Sequence, residues 1–347
     1  MTKLEEIIVA MIEAEGPMPL DRYMALCLGH PQFGYYMTRD PFGAVGDFTT
    51  APEISQVFGE LIGVWLLNSW AALGSPKKFA LVELGPGRGT LMADILRAVK
   101  AVPEFAKSAE VHLVETSPVL RMFQREKLGE VTWHDTIETL PAMSCFIIAN
   151  EFFDALPIQQ FENRAGRWFQ RCVGYGDGKL KMGLVPAPPM SGEEGLYEVS
   201  PVSKAIAEDL GSHISKHGGM ALIIDYGHLK TAAGDTLQAL REHEFVSVLD
   251  KPGESDVTAH VDFEALAKSF ISGGVDLLPM LTQGQFLKAM GLDLRTEKLA
   301  AKLEGQAKQD FMVASRRLAD ANQMGNLFKV MAVANNIRQP IYPFEAT

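Results

Sequence analysis

The feature that most constrains the fold is a short apolar run that leads directly into a glycine-rich turn and then into a helical pattern. Phe79–Leu84 is almost entirely apolar, as expected for a parallel strand covered on both faces of a sheet. Thr90–Val99 then has the residue spacing of a helix. The turn between them contains Gly85, Pro86, Gly87 and Gly89. Because glycine lets a ligand approach the backbone closely, this turn predicts a binding site for a nucleotide-like cofactor.

The spacing of the glycines favours one kind of cofactor over another. They follow the pattern G-x-G-x-G, at positions 85, 87 and 89, whereas dinucleotide-binding enzymes use G-x-G-x-x-G. An NAD-dependent dehydrogenase is therefore the weaker interpretation. On the motif alone, a turn that binds no ligand is a further alternative.

Two acidic residues follow the next two predicted strands. Glu115 ends the predicted strand at 110–115, where an acid in a doubly wound sheet accepts hydrogen bonds from ribose hydroxyls. A solvated strand end is the alternative for this residue. Asp135 follows the predicted strand at 131–133 and is suited to accept a hydrogen bond from an adenine amino group, with capping of a turn or helix as the alternative. Both acids are predicted to contact the cofactor.

A second group of candidate residues follows the fourth predicted strand, Cys145–Asn150. If the sheet is doubly wound, the first and fourth strands are neighbours, so the loop at 151–157 faces the glycine turn across the ligand crevice. In this loop Glu151 and Asp154 lie three residues apart and are flanked by phenylalanines. Two carboxylates beside aromatic rings suit a planar cation such as a guanidinium. The alternative is a turn that Asp154 caps while Glu151 is solvated.

The segment at 29–55 is predicted to be a functional loop. It is rich in glycine, proline and aromatic residues, and it has neither helical nor strand periodicity. Long irregular loops in compact proteins are more often functional than idle, and exposed aromatic side chains are costly. We expect this loop to lie over the cofactor as a lid, with a solvated connector as the alternative.

The order of the predicted elements indicates an α/β protein with a mostly parallel, doubly wound sheet. The predicted regions are N-terminal helices with the lid loop (1–76), the first half of the sheet (77–157), an inserted β-rich meander (158–200), and the second half of the sheet with additional helices (201–347). The meander is predicted because short strand patterns alternate with turn residues. The second half contains a predicted strand at 275–281 and ends in a strand at 327–334, which is expected to be antiparallel.

The charge balance and the cysteine content exclude several classes of partner. The chain has 32 basic and 43 acidic side chains and a net charge of −11, which argues against nonspecific binding to nucleic acid or anionic membranes. Its three cysteines have no paired spacing, so neither a disulfide framework nor a metal site is expected. The acidic start is unlike a mitochondrial presequence, and the sequence has no signal-peptide layout or membrane-spanning stretch. These features predict a soluble, cytoplasmic protein.

Several longer motifs occur in a characteristic order along the chain. They are Gly46-Asp-Phe-Thr-Thr-Ala-Pro-Glu-Ile-Ser55, Glu83-Leu-Gly-Pro-Gly-Arg-Gly-Thr90, Asn150-Glu-Phe-Phe-Asp-Ala-Leu-Pro157, Asp225-Tyr-Gly227 and Thr258-Ala-His-Val-Asp-Phe263. Together with the strand-end Glu115, they resemble the MidA-like family of class I S-adenosylmethionine-dependent methyltransferases. This family includes the mitochondrial complex I assembly methyltransferase, and the resemblance covers almost the whole chain.

The resemblance implies a Rossmann-like class I methyltransferase sheet and S-adenosyl-L-methionine as the cofactor. The implied or predicted cofactor contacts are Glu83, Gly85, Pro86, Gly87, Gly89, Thr90, Glu115, Asp135 and Asn150. The resemblance further implies a protein substrate, a subunit of respiratory complex I, on which an arginine is symmetrically dimethylated. The alternative is a non-catalytic assembly chaperone that binds S-adenosylmethionine and grips the arginine of a partner protein.

The chemistry of this reaction assigns a role to the two acids of the loop at 151–157. Methyl transfer from a sulfonium to a nitrogen is an in-line displacement, for which a protein supplies positioning and excludes water. An arginine guanidinium is protonated near neutral pH and has no free lone pair. Glu151 and Asp154 are therefore the predicted catalytic residues, which hold the guanidinium and offset or accept its proton.

Overall fold

The computed structural model describes residues 1–38, 50–335, 337 and 339–344 of the chain. Within them the helices are α1 (Lys3–Glu15), α2 (Leu20–Gly29), α3 (Tyr35–Thr38), α4 (Ala51–Ile54), α5 (Gln56–Ala72), α6 (Thr90–Val99), α7 (Pro103–Ser108), α8 (Pro118–Leu128), α9 (Pro201–His217), α10 (Phe263–Ser272), α11 (Gln283–Ala289), α12 (Leu292–Ala300), α13 (Gly305–Arg317) and α14 (Met324–Leu327). The strands are β1 (Met18–Pro19), β2 (Phe79–Leu84), β3 (Ala109–Val114), β4 (Thr132–His134), β5 (Cys145–Asn150), β6 (Gln159–Arg164), β7 (Arg167–Gly176), β8 (Lys179–Pro186), β9 (Gly195–Val199), β10 (Gly219–His228), β11 (Gln238–Arg241), β12 (Glu244–Val246), β13 (Asp256–Thr258), β14 (Val261–Asp262), β15 (Asp276–Leu277), β16 (Leu281–Thr282) and β17 (Phe328–Ala334).

A nine-stranded mixed sheet forms the centre of the molecule. Its order is β15-β17-β10-β5-β2-β3-β4, with β14 paired to β10 and β16 paired to β17. Strands β10, β5, β2, β3 and β4 are parallel, whereas β17 is antiparallel to β10. The predicted mostly parallel sheet with an antiparallel last strand is therefore confirmed. The first and fourth strands of the predicted core, β2 and β5, are neighbours as the crevice argument required.

Helices cover both faces of this sheet, which explains why the central strands are continuous apolar runs. Every residue of β2 and of β5 is buried. On one face, α5 packs closely on α6 through glycines, since a Cβ at Gly59 would lie 2.5 Å from the Cβ of Asp94 and one at Gly63 would lie 2.8 Å from the Cβ of Ala98. This contact holds in place α6, the helix that leaves the glycine turn.

Two predicted elements are wrong in extent. The predicted strand at 275–281 is reduced to the short pairings of β15 and β16, both antiparallel to β17. Pro279 lies between them, and proline cannot donate a hydrogen bond to a strand ladder. Pro52–Leu73 has the sequence pattern of one helix, but the structure divides it into α4 and α5, because Ser55 is extended and its side chain accepts a hydrogen bond from the backbone N–H of Val57.

The inserted region forms a second sheet of order β1-β7-β6-β9, with β8 paired to β7. The meander strands predicted from the sequence correspond to β6, β7 and β8, but β9 was not predicted. All residues of β9 are half-buried, so its sequence shows no alternation between buried and exposed positions. The β1 pairing joins this sheet to the N-terminal helices, and Leu4, Ile8 and Tyr23 share one apolar cluster with Val173 and Leu180.

A third, small sheet consists of β11, β12 and β13, in the order β12-β11-β13. Part of it lies in a segment that the sequence pattern did not classify. Ala239 and Val257 on one of its faces are buried in the N-terminal apolar cluster. Leu240 and Asp256, on the opposite face, line the cavity that is described below.

Within residues 1–38, 50–335, 337 and 339–344, both membrane-spanning helices and clusters of metal-ligating side chains are absent. In these ranges no helix has both the length and the apolar character that crossing a membrane requires. The described residues also contain no group of three or more His, Cys, Asp or Glu side chains placed to hold a metal ion. Cys27, Cys145 and Cys172 are buried and free.

Candidate active site

A cavity of about 630 Å³ lies at the carboxyl ends of β2, β3, β5 and β10. This is the edge at which ligands bind in doubly wound sheets. Its walls include most of the predicted site residues: Glu83, Gly85, Pro86, Gly87, Thr90, Glu115, Asn150, Glu151 and Asp154. The glycine turn and the acidic loop therefore face one another across a shared space.

The glycine turn has a backbone that other residues adopt only with strain. Gly85, Gly87 and Gly89 have φ values of 59°, 53° and 75°, all in the left-handed region. Gly85 also lies against the acidic loop, since a Cβ at this position would be 3.0 Å from Cδ2 of Phe152. The requirement for glycine thus comes both from the turn and from the close approach of the opposite wall.

Glu115 is buried at the end of β3 and is held by a polar network. One carboxylate oxygen accepts a hydrogen bond from the backbone N–H of Ser117 at 2.8 Å, and the other accepts from Nε2 of Gln124 at 3.2 Å. The same Nε2 donates to the carbonyl of Gly87 at 2.7 Å, while Oε1 of Gln124 accepts from the indole of Trp133. Gln124 therefore links the ribose-binding candidate to the glycine turn. Sequence reasoning missed Gln124, since a buried glutamine on a helix carries no motif.

Three acceptor atoms on the cavity wall lack hydrogen-bond partners among the described residues. They are Oε2 of Glu83, Oδ1 of Asn150 and Oδ1 of Asp154. Burial raises the pKa of Glu83 well above its ordinary value, although the backbone N–H of Met92 opposes this by donating to the carboxylate. A buried acceptor without a partner is costly, so this wall favours an occupant that carries several donors.

Glu151 leaves β5 with a backbone φ of 50°, a left-handed value that is uncommon for a residue with a side chain. Its Oε1 accepts from the backbone N–H of Ala51 and from Nδ2 of Asn150, each at 3.2 Å. Burial, and then the charge of Asp154, raise the pKa of Glu151 to about 8. Glu151 thus lines the cavity, and its burial favours the protonated form of the carboxyl.

Asp154 is held by the end of β10. The carboxylate of Asp225 accepts from the backbone N–H groups of Phe153 and Asp154, at 3.0 and 3.3 Å, and so shapes the loop that carries both acids. Burial raises the pKa of Asp154 to about 6, while a hydrogen bond from the Tyr226 side chain lowers it. The sequence pointed Asp225 and Tyr226 toward the crevice, but it did not predict their contacts with the loop at 151–157.

Asp256 is the fourth buried acid of this region, after Glu151, Asp154 and Asp225. Asp256 of β13 lines the cavity, and its Oδ1 accepts a hydrogen bond from the hydroxyl of Tyr36 at 2.7 Å. Burial raises the pKa of Tyr36 well above its ordinary value, and the charges of Asp256 and Asp154 add to this effect. The side of the cavity opposite the glycine turn is therefore lined by carboxyl groups.

The described residues include only the two ends of the predicted lid loop, 29–38 and 50–55. Residues 39–49, which form its middle, lie outside the described residues. On either side of them, Tyr36, Thr50 and Glu53 line the cavity, and the hydroxyl of Thr90 donates to Glu53. The two ends of the segment thus reach the site, and the lid itself stays a prediction.

Two predicted cofactor contacts are not brought to the cavity wall. Asp135 is not among the residues that line the cavity; its side chain is 78% exposed and paired with Arg121 at 2.7 Å. The contact of Asp135 with the adenine stays a prediction. Gly89 ends the turn as the N-cap of α6 and shapes the backbone without lining the cavity.

The comparisons with known proteins agree with this geometry. Residues 61–280 match a family described as "Putative S-adenosyl-L-methionine-dependent methyltransferase". The mitochondrial protein arginine methyltransferase NDUFAF7 of Xenopus tropicalis is 35% identical over 369 residues, which cover 95% of this chain and 85% of that protein. The NDUFAF7 homologue of Drosophila melanogaster is 36% identical over 366 residues, which cover 93% and 83%. A Burkholderia thailandensis protein crystallised with S-adenosyl-homocysteine is 26% identical, with a TM-score of 0.84 and coverage of 97% of this chain and 92% of that one.

The parallel sheet with its antiparallel last strand, the glycine turn and the strand-end acid define a class I methyltransferase fold. The chain belongs to the S-adenosyl-L-methionine-dependent methyltransferase family that the matching model describes. The resemblance inferred from its motifs is confirmed, and so are the enzyme class and S-adenosyl-L-methionine as cofactor.

The predicted cytoplasmic location is wrong by these comparisons. The relatives from frog, fly and human are all named as mitochondrial proteins. The prediction depended on the acidic side chains among the first residues of the chain. Such residues report on a targeting segment and carry no information about where the folded domain works.

Proposed function

We propose that this methyltransferase acts on protein arginine, and that its substrate is a subunit of respiratory complex I that is dimethylated during assembly. The observation that carries the proposal is the cavity in which Glu151 and Asp154 face the glycine turn. The names of the curated relatives, which are protein arginine methyltransferases, support the same substrate chemistry. The complex I substrate is supported by the motif resemblance to the family of the complex I assembly methyltransferase.

S-Adenosyl-L-methionine fits the half of the cavity that is built on β2 and β3. The Glu115 carboxylate is suited to the two ribose hydroxyls, since an ionised carboxylate is purely an acceptor. Oε2 of Glu83 and Oδ1 of Asn150, buried and without described partners, are suited to an ammonium group. Gly85, Pro86, Gly87 and Thr90 line the same half and complete the proposed contacts. When bound, the cofactor supplies an electrophilic methyl group.

Glu151 and Asp154 are proposed to hold the guanidinium on the other half of the cavity. Carboxylate–guanidinium hydrogen bonds are short, strong and directional, so they orient one nitrogen toward the cofactor. Asp225 and Tyr226 act as positioning residues for this pair, because they contact the loop backbone and the Asp154 carboxyl. Burial of the acids excludes water that would compete for the guanidinium.

The reaction replaces an N–H bond of the guanidinium by an N–C bond, so one proton must leave the nitrogen. Glu151 is the proposed acceptor, because it is the more basic of the two acids, with a pKa of about 8 against about 6 for Asp154. The positive charge of the bound guanidinium lowers the pKa of both carboxyls, so that they release their own proton before the transfer. Asp154 then offsets the charge while Glu151 accepts the proton.

The proposal is tested by mass spectrometry of complex I purified from matched cells with and without this gene. We expect one arginine that is dimethylated in the first sample and unmethylated in the second. Adding the purified enzyme and S-adenosylmethionine labelled in the methyl group to the unmethylated complex should place the label on that arginine. Equal methylation of all complex I arginines in both samples would contradict the substrate assignment.

The assembly-chaperone alternative makes a different prediction in the same experiment. Complex I would still assemble poorly without the gene, but no labelled methyl group would enter any of its subunits. A Glu151→Gln variant that restores assembly without transferring label would likewise favour that alternative.

A further inference from the structure

The small sheet places three residues in one row along its cavity face. In the antiparallel register, Phe245 of β12 is opposite Leu240 of β11, and Leu240 is opposite Asp256 of β13. Residues directly opposite one another in antiparallel strands lie on the same face of the sheet. All three line the cavity. We call Phe245, Leu240 and Asp256 the transverse row.

The chemistry of the transverse row changes steadily from solvent to the interior. Phe245 is 76% exposed, the largest exposed fraction among the large apolar side chains that the structure describes. Leu240 is half-buried, and Asp256 is only 6% exposed. The row crosses two strand spacings, about 10 Å, and so leads from an apolar rim to a buried acid.

The inner end of the row belongs to the acid group already described. The Asp256 charge raises the pKa of Glu151 in addition to the effects of burial and of Asp154. The Tyr36 hydroxyl holds one oxygen of Asp256. The adjacent row of the same face, Gln238 and Thr258, also lines the cavity and is joined by a hydrogen bond from Nε2 to Oγ1 at 3.3 Å. A side chain that enters along this face therefore ends among carboxyl groups.

The sheet is a fixed support for this row. Its other face is anchored by Ala239 and Val257 in the N-terminal apolar cluster. The hairpin between β11 and β12 is closed by the two residues Glu242 and His243, which have φ values of 53° and 66°. Two-residue turns with both φ values positive match the twist of the strands they join. Phe245 is thus exposed on a hairpin with a regular two-residue turn.

We propose that the transverse row is the track along which the substrate arginine enters. The guanidinium reaches Asp256 beside Glu151 and Asp154, its methylene stem lies on Leu240, and an apolar residue next to the arginine in the substrate polypeptide contacts Phe245. Arginine suits such a track because its stem is apolar and its head is a cationic donor fork. The inference rests on the proposed arginine methyltransferase function and adds the substrate class, an arginine flanked by an aliphatic or aromatic residue.

The first test measures methyl transfer by a Phe245→Ala variant to unmethylated complex I, isolated from cells that lack this gene, with labelled S-adenosylmethionine. Loss of the rim contact should raise KM for complex I about tenfold, the effect expected for losing one buried aromatic contact. The kcat should stay within about twofold, since Phe245 is remote from the reacting atoms. Phe245→Leu, which keeps an apolar side chain, should recover most of the affinity. The control is Leu294→Ala on α12, which removes a similarly exposed apolar side chain, 73% exposed, outside the cavity wall.

The second test locates the bound substrate directly. A photoreactive p-benzoylphenylalanine placed at position 245 should cross-link to the complex I peptide that carries the methylated arginine, whereas the same group at position 294 should not. Affinity for S-adenosyl-homocysteine and the melting temperature should be unchanged in every variant, which shows that the fold and the cofactor half are intact.

The outcomes separate the inference from the function on which it rests. If the unaltered enzyme transfers no methyl group to complex I arginine, the proposed function fails. If the transfer occurs but Phe245→Ala has the same KM as Leu294→Ala, the transverse row is not the arginine track. Cross-linking from position 245 to a peptide distant from the methylated arginine would overturn the inference equally.

Discussion

The two halves of the cavity are built in different ways. The cofactor half comes mostly from one stretch, residues 83–120, in which a strand, a glycine turn and a second strand end contribute the wall, and Asn150 at the end of β5 adds to it. The substrate half is assembled from segments that are distant in the sequence, which contribute Tyr36, Asp154, Tyr226 and Asp256. Local chain geometry shapes the first half, whereas tertiary packing shapes the second.

The halves also differ in how their polar groups are satisfied. Both carboxylate oxygens of Glu115 accept hydrogen bonds from described residues. In the substrate half, Glu151, Asp154 and Asp225 are buried together, and the charge of Asp154 raises the pKa of each of the other two beyond the effect of burial. Like charges in a buried site favour a bound cation. The comparison teaches that the cofactor half presents separate acceptors without described partners, Oε2 of Glu83 and Oδ1 of Asn150, whereas the substrate half gathers carboxyl groups whose mutual repulsion a guanidinium would relieve.

The largest effect is expected from removing the two acids of the substrate half. Glu151→Gln combined with Asp154→Asn should lower kcat for arginine methylation by about 10²- to 10⁴-fold, the range lost with a general base and its charge partner. Affinity for S-adenosylmethionine should change little, because the cofactor half keeps its own contacts. Single-turnover transfer of labelled methyl groups and calorimetric titration of the cofactor measure the two properties separately.

The control for this variant is Glu104→Gln, which removes an exposed acid from α7. Unchanged methylation in the double variant would remove both residues from the proposed machinery. A parallel loss of cofactor affinity would show instead that the two halves are not independent.

The next largest effect concerns the glycine turn. Gly85→Val should weaken S-adenosylmethionine binding about 100-fold, because a β-branched residue is strained at a φ of 59° and its Cβ would crowd Phe152. Gly129→Val is the matched control, since Gly129 has a φ of 77° but nothing within 4 Å of its added Cβ. Both variants should be destabilised by left-handed strain of about 1–2 kcal/mol. Calorimetric titration should show weakened cofactor binding in the Gly85 variant alone, and equal affinities would mean that the turn does not face the cofactor.

A smaller effect is expected at the ribose-binding candidate. Glu115→Gln should weaken S-adenosylmethionine binding about tenfold, since hydrogen bonds to a charged acceptor contribute about 1.5–3 kcal/mol and the amide retains part of this. Glu110→Gln, on the same strand but with an exposed side chain paired to Lys78, should bind the cofactor normally. Fluorescence or calorimetric titration distinguishes the two variants, and identical binding would leave Glu115 with a purely structural role.

The smallest effect is a pH-dependent change in stability. The folded-state pKa of Glu151, about 8, lies above its ordinary value of 4.5, so the folded protein binds more protons than the unfolded chain between these pH values. The free energy of unfolding contributed by this residue therefore falls as the pH rises through that window. Glu151→Gln removes this loss, so the melting temperature of the variant should exceed that of the unaltered protein by on the order of 3 °C at pH 9, and by less at pH 5. Scanning calorimetry across this range checks it, and a constant difference at all pH values would contradict the raised pKa.

The elements that sequence reasoning placed best are those with strong periodicity between clear boundaries. Thr90–Val99 was predicted with the bounds that the structure shows, because this helix has an apolar stripe and begins directly after the glycine turn. The small sheet was not predicted, since its strands have three or four residues each and pair with partners that are distant in the sequence. Such short strands form because neighbouring elements bury them, and local preference contributes little.

The residues of the candidate site also divide into those that the sequence predicted and those that only the structure showed. Glu83 and Gly85 were found because they belong to one contiguous motif, and Glu115 was found because it follows the next strand of the predicted sheet. Gln124 and Asp256 were not found, since their contacts depend on how α8 and the small sheet pack against the turn and the acidic loop. The ion pair of Asp135 with Arg121 was likewise not predicted, because it is a tertiary contact.

The amino-acid sequence by itself determined the central sheet and the glycine turn, because apolar strands, turns and helix boundaries depend on neighbouring residues, and its motifs carried the resemblance that implied the family and the cofactor. Only the tertiary structure decided which acids share a cavity, how far their charges raise one another's pKa, and that an exposed phenylalanine is aligned with a buried aspartate. Those properties depend on distances between segments far apart in the chain, and such distances are set by packing.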